Sequence, residues 1–169
     1  MSVIKDPYAL PQLRLTAAWA EIDRQAAVLK AALADWSALP ACERQPEVVE
    51  SDAQRLRLLD QILFRFLKLQ DAVGERLIPA TLEVLAEPIE TMAMRDRLNR
   101  LEKLGFLEAD TWLTWRALRN RITHEYPDHP EARWAVWEAT VAAADAMLAL
   151  LAHWRAQLPP SAAKSVTPC

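Results

Sequence analysis

The chain has 169 residues, with 20 lysines and arginines against 23 aspartates and glutamates, and a formal net charge of −3 at pH 7. This length suits one domain with a proper core and is too short for two comfortable ones. The charge excludes a global basic field, so any binding of nucleic acid must depend on a local basic patch.

The composition indicates an all-helical protein. The only glycines are Gly74 and Gly105, while alanine, leucine, arginine and glutamate are abundant, which is typical of helices. Two glycines are too few for a glycine-rich phosphate loop, and this excludes a nucleotide-driven enzyme of the P-loop type. The cysteines Cys42 and Cys169 have no spacing that suggests a metal site.

The two ends of the chain bear on its location and its domain organisation. The amino terminus does not resemble a signal peptide, and no uninterrupted apolar run approaches membrane-spanning length. We therefore expect a soluble, cytoplasmic protein that has no membrane partner. Residues 1–158 are predicted to form a single helical domain, and residues 159–169 a disordered tail.

The first predicted helix runs from about Pro11, which suits a first helical position, to Trp36. Its apolar residues alternate steps of four and three, the spacing of helices that pack at a shallow angle: Leu15, Trp19, Ile22, Ala26, Leu29, Leu33 and Trp36. This pattern favours a bundle helix, and a stripe for self-association is the alternative. Pro40 and Pro46 predict a connecting loop over residues 37–50.

The second helix is predicted to begin after Ser51 or Asp52, either of which can cap it. Its main apolar face consists of Leu56, Leu59, Leu63, Phe66 and Val73. Two further residues widen this face and predict burial on two sides: Phe64 and Leu67. Gly74 is expected to interrupt or end the helix, and a short helical piece follows over residues 75–85.

Three further helices complete the predicted bundle. The third begins near Thr91, carries the stripe Met94, Leu98, Leu101 and Leu104, and ends at Gly105. Asp110 is predicted to cap the fourth, and Pro130 suits the first position of the last. The last helix carries a stripe of Trp134, Trp137, Val141, Ala144, Leu148 and Leu151. Four tryptophans could stack bases, but their helical spacing favours the core: Trp112, Trp115, Trp134 and Trp137.

Polar side chains gather on one face of the fourth helix, over Trp112–Tyr126. At about 100° per residue, the apolar residues Trp115, Leu118 and Ile122 fall on one side. An arc of about 140° elsewhere on the helix holds five polar residues: Arg116, Arg119, Asn120, Thr123 and His124. This face suits a phosphodiester, because arginine makes forked hydrogen bonds to phosphate and histidine moves protons near neutral pH. A solvated helix face with an incidental histidine is the alternative.

The same helix resembles a known signature. The segment Arg119-Asn-Arg-Ile-Thr-His-Glu-Tyr126 is similar to the R-x4-H-x-Y signature of HEPN proteins of the HepT-like toxin group. A polar residue directly after the arginine, here Asn120, belongs to that signature. The segments 65–74 and 98–105 are similar to the helices that lead to the motif. The resemblance therefore covers roughly residues 55–126.

The resemblance implies an up-down bundle of about five helices that forms a homodimer through the motif region. It implies a metal-independent endoribonuclease toxin, without a cofactor, in which Arg119 and His124 of two protomers form one RNA-cleaving cleft. The implied partners are RNA and a cognate minimal nucleotidyltransferase, the antitoxin, which can AMPylate Tyr126. Asn120, and with it Arg116 and Thr123 on the same helix face, is predicted to support RNA binding.

Two other functions remain open at this stage. The chain could be a non-catalytic nucleotide- or substrate-binding partner of a nucleotidyltransferase, with the motif holding phosphates without cleaving RNA. It could also be a helical adaptor in which the Arg119 face binds a carboxylate of another protein. A zinc site is not predicted, because His124 and His129 are five residues apart with Pro127 between them. His153 is expected at the surface or at the edge of the core.

Overall fold

Helices account for nearly all of the chain that the computed structural model describes, residues 9–124 and 129–159. No strand occurs among these residues, and the predicted all-α bundle is confirmed. The α-helices are α1 (Ala9–Ala38), α2 (Pro46–Ser51), α3 (Ala53–Ala72), α4 (Ile78–Val84), α5 (Met94–Lys103), α6 (Ala109–His124) and α7 (Pro130–Gln157). The predicted tail lies outside the described residues except for Pro159.

The long helix α1 packs against α3, α4 and α7. Its predicted stripe is buried in the core of the chain, with only Ala26 half-buried. Because these side chains are covered by helices of the same chain, the stripe belongs to the bundle and is not free for self-association. Arg155 of α7 lies over the ring of Trp19, 4.1 Å from its centroid, and covers part of this seam.

The segment between α1 and α3 is more ordered than the predicted loop. It contains a 3₁₀ turn (Ala41–Glu43) and the short helix α2, which begins at Pro46. Proline at the first position of a helix loses no backbone hydrogen bond, so Pro46 starts a helix here. The Asp52 carboxylate then accepts hydrogen bonds from the backbone N–H groups of Gln54 (2.9 Å) and Arg55 (3.0 Å). Asp52 is therefore the cap of α3, one of the two residues predicted for that role.

The regular α-helix is interrupted at Gly74, as predicted, although the chain remains helical. Residues Val73–Leu77 form a π-turn, in which the Ile78 N–H bonds to the Val73 carbonyl, and α4 follows directly. The prediction of burial on both sides of α3 is wrong at Phe64, whose side chain is 50% exposed. Phe64 lies about 20° from Asp71 around the helix but two turns earlier, where its side chain stays open to solvent.

Helix α5 is shorter than predicted, because a 3₁₀ turn (Ile89–Thr91) ends at Thr91 and the backbone is extended at Met92 and Ala93 before α5 begins. Gly105 follows α5 with a φ of +80°, a left-handed conformation that favours glycine, as its predicted place at the helix end requires. Asp110 does not cap α6, which begins at Ala109. The Ala109 N–H donates instead to the Glu102 carboxylate at 2.9 Å, so the preceding helix supplies the partner.

The buried face of helix α7 is rotated slightly around the helix axis relative to the predicted apolar stripe. Trp137, Val141 and Leu148 are half-buried, while Thr140, Met147 and Trp154 are fully buried. The tryptophan prediction is confirmed for Trp112, Trp115 and Trp134, all of which are buried. By length and composition alone α7 could also cross a membrane, a test that core helices of soluble proteins also pass. Glu138 and Asp145 are exposed on this helix.

Candidate functional site

Two buried tryptophans hold helix α6 against the rest of the bundle, next to its polar face. Trp112 and Trp115 are 2% and 7% exposed, and their rings meet edge to face with centroids 6.4 Å apart. A Cβ added to Gly74 would lie 3.6 Å from Trp112 Cζ2, so α6 passes close to the π-turn after α3. Leu118 and Ile122 pack against the core as half-buried side chains.

Arg119 is held by an acidic residue of α3. Its Nε donates to Asp71 Oδ1 at 3.1 Å, and the two side chains are 29% and 35% exposed. Sequence reasoning missed Asp71. The available signal was that Asp71 is the only acidic residue in segment 65–74, which resembles the helix leading to the motif. In the adaptor alternative, Arg119 would bind a carboxylate of another protein. In the structure, Arg119 already binds the carboxylate of Asp71 from the same chain.

A pocket of about 180 Å³ lies beside this ion pair, between α3, the π-turn, α5 and α6. Three predicted site residues line it together: Arg116, Arg119 and Asn120. Three polar residues that were not predicted also line it: Gln70, Asp71 and Glu75. Gly74, Met94 and Trp112 complete the wall. The structure therefore joins part of the predicted face to a second set of polar groups from α3 and the π-turn.

The remaining predicted residues lie outside this pocket. The Thr123 hydroxyl donates to the Arg119 carbonyl at 2.8 Å, so its proton is used within α6 and the oxygen is left as an acceptor. His124 is exposed at the last residue of α6. Tyr126, the predicted modification site, lies outside the described residues.

Several polar groups of the pocket have no partner among the described residues. Arg116, Asn120 and Glu75 are exposed and make neither a hydrogen bond nor an ion pair there. Gln70 is only 5% exposed, and its Nε2 has no hydrogen-bond partner. Since buried polar groups are normally paired, an unpaired amide beside a pocket calls for an explanation.

The other histidines have structural positions. A ring nitrogen of His153 lies 2.7 Å from the Gly105 carbonyl oxygen, which ties α7 to the turn after α5. His129 is exposed directly before α7. Within residues 9–124 and 129–159, no three histidine, cysteine or acidic side chains are grouped so that they could hold a metal ion.

Comparison with known proteins adds no relative. No protein-family model, no curated protein and no solved structure matches this chain.

Proposed function

We propose that this chain is a metal-independent endoribonuclease toxin of the HEPN type, with Arg119 and His124 as its catalytic residues. The observation that carries the proposal is the fixed position of Arg119, which Asp71 holds beside a pocket that Arg116 and Asn120 also line. His124 lies five residues further along the same helix, about 7.5 Å along its axis, and is open to solvent.

In the proposed reaction, His124 takes the proton of a ribose 2′-hydroxyl, whose oxygen then attacks the adjacent phosphorus. The bond from phosphorus to the 5′-oxygen breaks, which leaves a 2′,3′-cyclic phosphate on one product. The departing 5′-oxygen takes a proton from water, and the proton on His124 then passes to solvent. The four N–H groups on Nη1 and Nη2 of Arg119 remain available for the phosphoryl oxygens, because its bond to Asp71 uses only Nε.

Two protomers are needed because of the helix geometry. Arg119 and His124 project about 140° apart around α6, so one copy directs them to different sides. A dyad that brings two α6 helices together places the arginine of one copy opposite the histidine of the other. The exposed positions of Arg116, Asn120 and His124 leave this face open for such a contact.

The decisive experiment is RNA cleavage by the purified protein in the presence of EDTA. We expect wild-type protein to cleave, and His124→Ala and Arg119→Ala each to abolish cleavage without loss of helical content by circular dichroism. Arg119→Lys should also be poor, because an ammonium group cannot reproduce the bidentate fork.

Arg57→Ala and His153→Ala are matched controls outside the proposed site and should retain activity. Arg57 is exposed on α3, and His153 lies on α7. Wild-type protein that leaves all RNA uncut would refute the nuclease proposal. The chain would then be better described as the non-catalytic binding partner of a nucleotidyltransferase.

Regulation through Tyr126 belongs to the same proposal. An AMP on this tyrosine would bring a phosphate next to Arg119, which could bind it by the charge-assisted bonds that RNA needs. Incubated with its cognate nucleotidyltransferase, ATP and magnesium, the protein should gain AMP mass on the peptide that contains Tyr126. Tyr126→Phe should remain unmodified and still cleave RNA. Modified wild-type protein with full nuclease activity would contradict this regulation.

A further inference from the structure

The pocket beside Arg119 has more polar groups than phosphate chemistry needs. Gln70 and Glu75 come from α3 and the π-turn, take no part in the reaction described above, and yet line the same 180 Å³ as Arg116 and Arg119. Gln70 is more than nine-tenths buried, and its Nε2 has no hydrogen-bond partner within the part of the chain that the structure describes. A ligand that accepts a hydrogen bond would supply the missing partner of this amide.

The charge of the pocket argues against a bare phosphate as its occupant. The formal charges of Arg116 and Arg119 are matched by those of Asp71 and Glu75. A pocket with no net charge favours an uncharged ligand that has both donors and acceptors. Its volume is below the roughly 300–1,000 Å³ of ordinary small-molecule sites, so it suits a fragment such as one nucleobase.

We propose that this pocket is the base-recognition subsite of the nuclease and that it takes a guanine from single-stranded RNA. This inference rests on the proposed function. Guanine is the only base of RNA whose Watson–Crick edge has two adjacent donors, N1–H and the N2 amino group, next to an acceptor, O6. The Glu75 carboxylate, which has no partner among the described residues, accepts from both donors. The Gln70 amide, whose Nε2 is shielded from solvent in this structure, turns toward the base and donates to O6.

The position of Arg119 connects this subsite to the cleavage site. Its Nε faces Asp71 on the pocket wall, whereas its Nη1 and Nη2 groups are left for a phosphate. One side chain thus lies between a base in the pocket and the phosphodiester next to that base. Single-stranded RNA can present both, because its unstacked bases can be splayed out and recognised on their Watson–Crick edges.

The test uses synthetic single-stranded RNAs with one guanine, and the same RNAs with inosine or adenine in its place. We expect cleavage next to guanine and a value of kcat/KM lower by about ten- to a hundredfold for inosine, which lacks the N2 amino group. Glu75→Gln should bring the guanine-to-inosine ratio close to one. Gln70→Leu should lower the preference for guanine over adenine. Glu47→Gln, an exposed glutamate of α2, is the matched control and should keep the wild-type ratios.

Binding of free nucleosides separates this inference from the nuclease proposal. In NMR titrations of the His124→Ala protein, guanosine should shift resonances and adenosine should not. The double variant that also carries Glu75→Gln should show a weaker response to guanosine. If no RNA is cleaved, the nuclease proposal fails, and selective guanosine binding still supports the pocket. Equal cleavage beside all four bases, a guanine preference that Glu75→Gln leaves intact, or absence of selective guanosine binding would overturn the inference.

Discussion

At the scale of single residues, Asp71 limits how Arg119 can move. The ion pair at 3.1 Å uses Nε of the guanidinium and leaves the fork formed by Nη1 and Nη2 in a defined orientation. Both side chains are about a third exposed, and pairs of this kind contribute at most about 1 kcal/mol to stability. Orientation of Arg119 is therefore the more important effect of Asp71.

Asp71→Asn tests this orienting role. We expect the rate of RNA cleavage to fall by about ten- to a hundredfold, because a shifted catalytic group loses the reactive geometry. The melting temperature should change little. Steady-state kinetics and a thermal melt measure the two effects. Asp145→Asn, an exposed acid of α7, should alter neither.

A double variant distinguishes orientation from a separate contribution of Asp71. If Asp71 acts through Arg119, then Asp71→Asn should cause no further loss in a protein that already carries Arg119→Ala. Residual activity can be followed with a high concentration of enzyme. Additive losses in the double variant would mean that Asp71 acts on the RNA by another route.

The helical periodicity of α6 was enough to group Arg116, Arg119 and Asn120, because residues of one helix face follow from the sequence alone. It could not reveal Gln70, Asp71 or Glu75. These residues reach the site only because α3 packs beside α6 at one particular register, with Asp71 next to Arg119. That register also brings Trp112 close to Gly74, a tertiary contact that the pattern of a single helix does not predict.

At the scale of elements, the helix ends show which sequence signals are sufficient. Asp52 and Pro46 start helices because each provides its own local chemistry, a carboxylate acceptor and a fixed φ. Asp110 has the right chemistry but lies inside the first turn, because α6 begins one residue earlier at Ala109, whose N–H bonds to Glu102. Competition from another element cannot be predicted from a local pattern.

The cap of α3 should give the fold a measurable dependence on acid. The pKa of the Asp52 carboxyl lies below its ordinary value, chiefly because the backbone N–H of Arg55 bonds to it. A lowered folded-state pKa means that this stabilisation is complete above about pH 4 and is lost as the pH falls through the folded value. Asp52→Ala should therefore lower the melting temperature at pH 7, and the difference from wild type should shrink below pH 4.

Circular dichroism melts between pH 7 and pH 3 would measure this change. Asp145→Ala serves as the control, because Asp145 is exposed and makes no hydrogen bond among the described residues. A difference between wild type and Asp52→Ala that stays constant down to pH 3 would contradict a charged cap.

At the scale of the whole molecule, the composition was a sufficient guide to the all-α fold, because two glycines and an excess of strong helix formers leave few alternatives. The arrangement of the helices was not accessible in the same way. Helix α7 packs against α1, α3 and α6, and this packing decides which of its residues are buried. The apolar stripe of α7 predicted only part of that set and missed the buried residues Trp154 and Thr140.

Assembly is the main prediction at this scale. We expect a symmetric dimer at tens of micromolar by light scattering, with the two α6 helices close to the dyad. Mixing the inactive Arg119→Ala and His124→Ala proteins should restore part of the nuclease activity, because a heterodimer contains one intact arginine and one intact histidine. A monomer at these concentrations, or a mixture without activity, would argue against a shared site.

The π-turn at Val73–Leu77 also fixes the relative phase of α3 and α4. A π-turn corresponds to one residue inserted into an α-helix, and one residue corresponds to a rotation of about 100°. Without it, everything after residue 77 would be turned by that angle, and Thr81 would face away from Trp154, whose indole N–H bonds to it at 3.1 Å in the core. A single-residue deletion in the π-turn would thus not allow the pocket residues of α3 and the core residues of α4 to keep their positions together. A second deletion in α4 would not repair it, because it would turn the following residues by about a further 100°.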